Sequence, residues 1–369
     1  MKICLTSDVH LGMKFAGYPG IQQQLVNARF EALRRCIELA NQHTCDAFII
    51  AGDLFDRVSI AKKDIQNAAR ILGEFEGKLT AVLPGNHDYV TPGQEGLWRS
   101  FQDYAGHNIL VLDECRTYPL EHFDLDCNLY AAPCFAKHSS KNQVGWIKDA
   151  LKGDDVLWHI GVAHGSLEGL SPDFNQDYYP MHEMELKACG LDLWLMGHTH
   201  LPFPEKPGPK NVVFYPGTPE PDGFDCRHAG GAMILDIDAQ KHIKTTYLKT
   251  GTFLFAHEVG DVKKIEDLDP WLATYLNTGH KNTLLKLKIK GRLKSDDFDA
   301  LPDIQQQFKS HLAYFKLDMA DLSKKIDPHE IDRHFSATSF PHRLLSRFVE
   351  KKDHEALQIT FELLEEIRK

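Results

Sequence analysis

Five short polar clusters, each set directly behind an apolar run, constrain this 369-residue chain more than any other feature. They are Asp8-Val9-His10, Gly52-Asp53, Gly85-Asn86-His87-Asp88, His164 and Gly197-His198-Thr199-His200. A short apolar run bounded by turn residues reads as a buried strand. Polar side chains placed at the ends of several such strands meet in the crevice at the carboxyl edge of a sheet. The mixture of carboxylate, imidazole and amide suits hard to borderline divalent ions such as manganese or iron, whereas a closed zinc site would be built on thiolates. One Asp-x-His pair, or two histidines at i and i+2, is weak evidence alone. Five clusters at strand ends, flanked by Gly12, Gly52, Gly85, Gly165 and Gly197, are strong together, because glycine permits the tight turns and close backbone approach that a bound ion requires.

The spacing between clusters predicts a layered α/β architecture. Residues 2–7, 47–51 and 79–83 read as buried strands. Residues 22–42 and 61–76 read as helices, the first with Leu25, Ala28, Leu33, Cys36, Ile37 and Ala40 near helical spacing. Strands are expected again over 109–112, 128–132, 159–163, 193–196, 212–215 and 232–237. The Pro- and Gly-rich stretch from Leu201 to Gly223 reads as a looping wall with one strand inside it. Beyond about residue 250 the polar clusters stop. Thr283–Lys290 alternates Leu285, Leu287 and Ile289 with Lys286, Lys288 and Lys290, as a half-buried strand does. A helix over 296–313, a strand over 314–318 and two terminal helices complete the reading. The expected domains are therefore 1–250, 251–338 and 339–369.

Composition narrows the function classes. No apolar run approaches membrane-spanning length, and Met1-Lys2-Ile3-Cys4-Leu5 enters a strand without a signal-peptide core, so a cytoplasmic location and no membrane partner are expected. The eight cysteines form no C-x-x-C pair and read as free thiols in a reducing compartment. The formal charge of −10 argues against nucleic acid only as a whole-chain sum, which a local basic stripe escapes.

The ordered motifs DVHLG, GDLFD, GNHD, AHGS and GHTH resemble the calcineurin-like metallophosphoesterase superfamily, and within it the SbcD-type DNA double-strand-break repair nucleases. The resemblance covers the first two-thirds of the chain. Leu284–Leu293, ending in Lys290-Gly291-Arg292-Leu293, is similar to the cap domain of that subfamily, and the last thirty residues to its partner-binding helices. The resemblance implies a four-layer α/β/β/α metallophosphoesterase sandwich with a smaller α+β cap domain and C-terminal helices. It implies one divalent ion held by Asp8, His10, Asp53 and His200, and a second by Asp53, Asn86, His164 and His198, with Asp53 bridging. Mn²⁺ is the expected metal, with Fe²⁺ or Mg²⁺ as alternatives. Two ions roughly 3.5–4 Å apart activate water and clamp phosphate oxygens, and in-line attack at phosphorus then needs little covalent help from protein. Asn86 adds a neutral oxygen that limits the negative charge facing a phosphate. His87, next to a ligand, is expected to serve the departing oxygen as acid, or else to be a structural histidine. Asp56 is either the partner that fixes the tautomer of His87 or a loop-capping carboxylate, and some relatives carry histidine there. Asp88 is expected to orient His10 or His87, or to form the turn. Arg57, in Gly-Asp-Leu-Phe-Asp-Arg, echoes the phosphoprotein phosphatases, but Val58 and Asp88 depart from their signature. His43, His138, His159 and His257 fit no motif.

Lys281, Lys286, Lys288, Lys290, Arg292 and Lys294 form a run without an acid. It reads either as a DNA-backbone contact, with Lys286, Lys288, Lys290 and Arg292 as the contact residues, or as the lysine-rich face of an edge strand. Leu344, Leu345 and Phe348, and then Leu357, Phe361 and Leu364, read either as packing on the chain's own cap or as docking on an SbcC-type, SMC-like ATPase. The leading expectation is a two-metal DNA exonuclease/endonuclease of double-strand-break repair, working with that ATPase and DNA; the resemblance also allows a homodimer. The alternatives are a phosphodiesterase or phosphatase for small nucleotides and a scaffold that has lost catalysis.

Overall fold

The computed structural model describes residues 1–91, 96–150, 156–170, 173–208, 211–276 and 281–368. Contacts divide the chain into two compact units, Met1–Phe255 and Ala256–Lys369, so the terminal helices fall in the second unit with the strands before them.

The first unit is built on strands β1 (Lys2–Thr6), β2 (Ala47–Ala51), β3 (Leu79–Leu83), β4 (Ile109–Val111), β5 (Thr117–Pro119), β6 (Cys127–Ala132), β7 (Trp158–His164), β8 (Leu193–Gly197), β9 (Pro202–Phe203), β10 (Val213–Pro216), β11 (Gly231–Ile237) and β12 (Ile243–Lys249). They form two six-stranded sheets, ordered β12-β11-β1-β2-β3-β4 and β5-β6-β7-β8-β10-β9. β1 to β4 run parallel, as do β6, β7, β8 and β10, with antiparallel strands outside them.

The two-residue period of a strand sorts the apolar residues into layers. Ile3, Leu5, Ile49, Ala81 and Leu83 of the first sheet pack with Leu129, Ile160, Val162, Leu195 and Phe214 of the second, so the sheets lie face to face. The alternate residues Cys4, Phe48, Ile50 and Val82 face outward under helices α1 (Gln22–Gln42) and α2 (Lys62–Leu72). On the other side Tyr130, Trp194, Met196 and Tyr215 pack under Ile147 and Leu186, which lie on the short helices Ile147–Ala150 and Glu183–Ala188. This is the α/β/β/α order expected from the sequence. Each fully buried Leu, Ile or Phe contributes about 1.5–3 kcal/mol. The carboxyl ends of β1, β2 and β3 in one sheet, and of β7 and β8 in the other, carry the five polar clusters.

Three local readings differ. The helix expected over 61–76 ends at Leu72, where Gly73 caps it and frees Phe75 to enter the core. β5 and β12 were not anticipated, because both are edge strands with little apolar content. The wall from Leu201 to Gly223 holds β9 as well as β10, and its residues 209 and 210 lie outside the described residues.

In the second unit β13 (Leu254–Val262), β14 (Thr283–Leu293) and β15 (Tyr314–Lys324) form one sheet with β14 in the middle. The reading of β14 as an edge strand is therefore wrong. Leu285, Leu287 and Ile289 point into a core with Leu301 and Phe308 of the helix Leu301–His311, and Phe308 stacks on Phe315 at 4.6 Å. β15 runs parallel to β14 over eleven residues, well past the expected Asp318, with one extra residue inserted opposite Lys288–Lys290. Leu345, Leu357 and Phe361 of the helices Phe340–Glu350 and His354–Arg368 pack with Ile326, Ile331 and Phe335. Ile359, Leu363 and Ile367 remain exposed on the last helix.

Candidate metal centre

Past the strand ends the loops are held in register. The Asp8 N–H donates to the Gly52 carbonyl (3.1 Å), and the His10 N–H to the Asp53 carbonyl (3.0 Å), so the turns after β1 and β2 run side by side. Gly52, at φ +95°, lets the His164 ring lie against it; a Cβ there would sit 2.0 Å from His164 Nδ1. Five non-glycine residues of the clusters have left-handed backbone: Asp8, His10, Asp53, His198 and His200. Such conformations cost on the order of 1–3 kcal/mol each and persist where surrounding structure enforces them.

The seven residues expected to bind metal converge. His10 Nε2 lies 3.1 Å from His200 Nε2 and 3.6 Å from Asp53 Oδ2. His200 Nε2 is 3.7 Å from Asp8 Oδ1. On the other side of Asp53, its Oδ2 is 3.3 Å from His164 Nε2. Asn86 Oδ1 lies 3.0 Å from His164 Nε2 and 3.3 Å from His198 Nδ1. The Asn86 amide nitrogen donates to the Lys137 carbonyl (3.3 Å), which turns the amide oxygen into the site. His164 Nδ1 donates to the Ala51 carbonyl (2.9 Å), so in the neutral ring Nε2 presents its lone pair.

Burial and charge set the protonation states of the metal-free centre. Burial drives His10 well below the usual histidine range, and burial together with His164 brings His198 down to about 3, so both rings are neutral. Burial would also depress His164, but the Asp53 carboxylate outweighs it and lifts His164 to about 9. His200 is likewise raised to about 9, against the effect of burial, by Asp222 and Asp8. Burial opposes ionisation of Asp53, yet the facing His164 holds it well below the carboxylate range.

The donor set fits divalent ions. Neutral His10 points Nε2 at His200 Nε2, while its buried Nδ1 has no hydrogen-bond partner. Asn86 Oδ1, an acceptor, faces two ring nitrogens. Once His164 and His200 give up their protons, these nitrogens and the Asn86 oxygen present converging lone pairs, which suits cations held between them.

A family model described as calcineurin-like phosphoesterase matches residues 1–202. The chain belongs to that family. Among curated proteins it is similar to the uncharacterized metallophosphoesterase YhaO of Bacillus subtilis, 25% identical over 205 residues that cover 53% of this chain and 47% of that protein. It is also similar to the DNA double-strand break repair protein Mre11 of Methanopyrus kandleri, 25% identical over 237 residues, 61% of this chain and 50% of that one. The chain thus spans about half the length of the curated relatives it matches. Among solved structures, TT1561 of Thermus thermophilus matches with a TM-score of 0.38 and 14% identity, over 67% of this chain and 98% of that one. Among the described residues no helix is long and apolar enough to cross a membrane.

Residues around the centre differ from expectation in detail. His87 is half-buried at its edge. Its N–H donates to Asp53 Oδ1 (2.8 Å), and its Nδ1 meets the main-chain carbonyl of Asp56 (3.0 Å). The partner that orients His87 is therefore the Asp56 backbone, because the Asp56 carboxylate pairs with Arg57 and lies 3.9 Å from His10 Nδ1. Arg57, so engaged, does not reproduce the phosphatase grip. Asp88 is a turn former. It accepts from the N–H groups of Phe55 (2.9 Å) and Gly85 (2.7 Å) and so ties the loop after β2 to the loop after β3. All eight cysteines are free, and seven are buried.

Two important residues escaped the sequence reading. Arg29, 1% exposed, donates from α1 to the carbonyls of Val9 (2.6 Å), Asp8 (3.1 Å) and Glu220 (3.2 Å), fixing the turn that carries Asp8 and His10. Its signal was present: a charge at 29, midway between Leu25 and Leu33 on the buried stripe. Asp222 lies 3.0 Å from His200 Nδ1 and orients that ring. It stands in Pro221-Asp222-Gly223, which reads as an ordinary turn. The expected basic stripe is also altered, since Lys288 pairs with Asp321 at 2.7 Å and Lys290 with Asp261 at 3.7 Å.

Proposed function

We propose that this chain hydrolyses phosphodiester bonds at DNA ends, as a two-metal nuclease of double-strand-break repair. The observation that carries the reading is the double use of one carboxylate. Asp53 Oδ2 faces His10 Nε2 at 3.6 Å on one side and His164 Nε2 at 3.3 Å on the other. This suits Asp53 as the bridge between one ion on Asp8, His10 and His200 and another on Asn86, His164 and His198, with Mn²⁺ the preferred species. When bound, such ions supply charge neutralisation of phosphoryl oxygens and a low-pKa water.

The chain's own residues do the rest. Asp53 Oδ1 accepts from the His87 backbone, so the bridging residue also sets the position of His87. With Nδ1 donating to the Asp56 carbonyl, His87 Nε2 of the doubly protonated ring is the atom that would give its proton to the departing oxygen. Asn86 keeps the second site less negative and so lowers repulsion of a phosphate. Arg29 and Asp222 hold the Asp8–His10 turn and His200 against displacement.

DNA as substrate is supported by the likeness to the DNA double-strand break repair protein of Methanopyrus kandleri, and a docked partner, in this reading an SMC-like ATPase, by the exposed Ile359, Leu363 and Ile367, which suit a docked helix. Lys286 and Arg292 remain DNA contacts in this reading. Lys288 and Lys290 do so less, being already paired. The test is a manganese nuclease assay on linear duplex and on single strands, with and without the ATPase. Hydrolysis of cyclic nucleotides with no DNA cleavage at low salt would replace this reading with that of a small-nucleotide phosphodiesterase.

A further inference from the structure

In the second unit a cleft of about 620 Å³ lies between the ends of β14 and β15 and the start of the helix His354–Arg368. Its floor includes Ile326, 7% exposed, in front of the fully buried Val262. Three cations, Lys263, Arg292 and Lys325, line it, with His354 beside them. Among the described residues none of these three lies in an ion pair, whereas three of the six basic residues of β14 and β15 are matched by acids: Lys288 by Asp321, Lys290 by Asp261 and Lys324 by Asp299. The acid lining the cleft, Asp261, is the one that faces Lys290. In a chain of net charge −10, an unneutralised cluster of this kind stands out.

The walls are fixed by the backbone. Gly291 has φ +129°, and a Cβ there would sit 2.2 Å from the Val262 carbonyl, so β13 and β14 approach closely only without a side chain. Buried Gln358 donates to the Lys324 carbonyl (2.9 Å) and accepts from the Ile326 N–H (3.3 Å), fastening the helix to the end of β15. The cavity is therefore preformed and of the volume range that holds small ligands. An apolar floor with a cationic rim matches a molecule that has an apolar ring face and a phosphate, and its volume exceeds what inorganic phosphate needs.

We propose that this cleft is a second, non-catalytic site that binds a nucleoside 5′-phosphate, with Arg292, Lys325 and Lys263 on the phosphate and Ile326 under the base or sugar. The proposal does not depend on the hydrolytic reading, because every group it uses lies outside the metal centre. The nucleoside phosphate comes either from a free nucleotide or from the 5′ end of a strand.

The test is calorimetric titration of the full chain, kept in chelator so that the metal centre takes no part. The probes are AMP, inorganic phosphate, and a short oligonucleotide with and without its 5′-phosphate. Saturable AMP binding is expected, at least tenfold tighter than phosphate and weakened at least tenfold in the triple variant Lys263→Gln, Arg292→Gln, Lys325→Gln. These side chains are exposed, so that variant should melt like the parent. The charge-retaining Lys325→Arg should keep binding. Tighter binding of AMP than of the 5′-phosphorylated oligonucleotide supports a free nucleotide, and the reverse order, lost with the 5′-hydroxyl strand, supports a strand end. Absence of saturable AMP binding, equal affinity for inorganic phosphate, or binding unchanged in the triple variant overturns the proposal. Loss of nuclease activity alone would leave these binding results intact.

Discussion

Metal uptake should release protons in a number fixed by the two His–Asp contacts of the centre. His164 and His200 are each raised to about 9, the first opposite Asp53 and the second between Asp222 and Asp8. A group with a pKa of about 9 is roughly 99% protonated at pH 7. His10 and His198 are depressed and already neutral, so they contribute nothing. Each proposed ion then displaces one imidazole proton, His200 at one site and His164 at the other. These two residues should release about two protons per chain at pH 7, and each ion's apparent affinity should rise about tenfold per pH unit, levelling near pH 9. The assay is titration of manganese into the metal-free chain in two buffers of different ionisation enthalpy at pH 7, repeated at pH 6.5 and 8. Asp222→Asn removes the main carboxylate acting on His200, so its pKa falls toward the ordinary value and the count should drop by up to about one. A parent that releases no protons, or a count unchanged in Asp222→Asn, would refute the assignment of these rings.

Other perturbations test separate links. The metal-free chain should lose thermal stability as pH rises from about 6.5 to 9, because the raised His164 and His200 favour the folded state most while both are protonated in either state; a melting temperature that climbs across that window contradicts the pairing. His87→Ala should keep its bound metal, measured by elemental analysis, and lose about 10²–10⁴-fold in hydrolysis; parental rates would remove it from the proton path. Gly52→Ala drives a Cβ into His164 at an unfavourable φ and should cost on the order of 2–4 kcal/mol by denaturant unfolding, with metal affinity falling too. Neutralising Lys288 and Lys290 should flatten the salt dependence of DNA binding by less than about 0.9 per residue, since both already face acids; a full effect would show that those ion pairs open on DNA.

The centre was legible in the sequence because its chemistry restricts residue type. A ligand behind a buried strand must be Asp, His or Asn, and the run before it marks where the strand ends. The supporting residues were less legible, each for its own reason. Arg29 satisfies three carbonyls from inside an apolar helix stripe, a partnership that only tertiary structure reveals. Asp222 reaches His200 from the proline-rich wall, at a separation carrying no periodic signal. Asp56, read as a side-chain partner of His87 or a loop-capping carboxylate, meets His87 through its carbonyl, and no sequence pattern distinguishes a backbone acceptor from a carboxylate. In the second unit, alternation identified the buried face of β14 but could not say which strands flank it. That is why the alternative of a lysine-rich edge strand fails: β14 lies in the middle of its sheet, and Lys288 and Lys290 pair with acids.

Backbone conformation weighs against the scaffold reading. Asp8, His10, Asp53, His198 and His200 all stand at positive φ. At about 1–3 kcal/mol each, their combined strain is comparable to the whole net stability of an ordinary domain, about 5–15 kcal/mol. A chain selected only to fold would relieve such strain with glycine or relax the turns. Here it is maintained by Arg29, by the Asp8–Gly52 and His10–Asp53 backbone bonds, and by the His198 N–H, which donates to both oxygens of Asp8 at 3.0 Å. What the strain achieves is direction: it turns side chains from separate sheets toward one point. That has a use only if something with charge to share is held there.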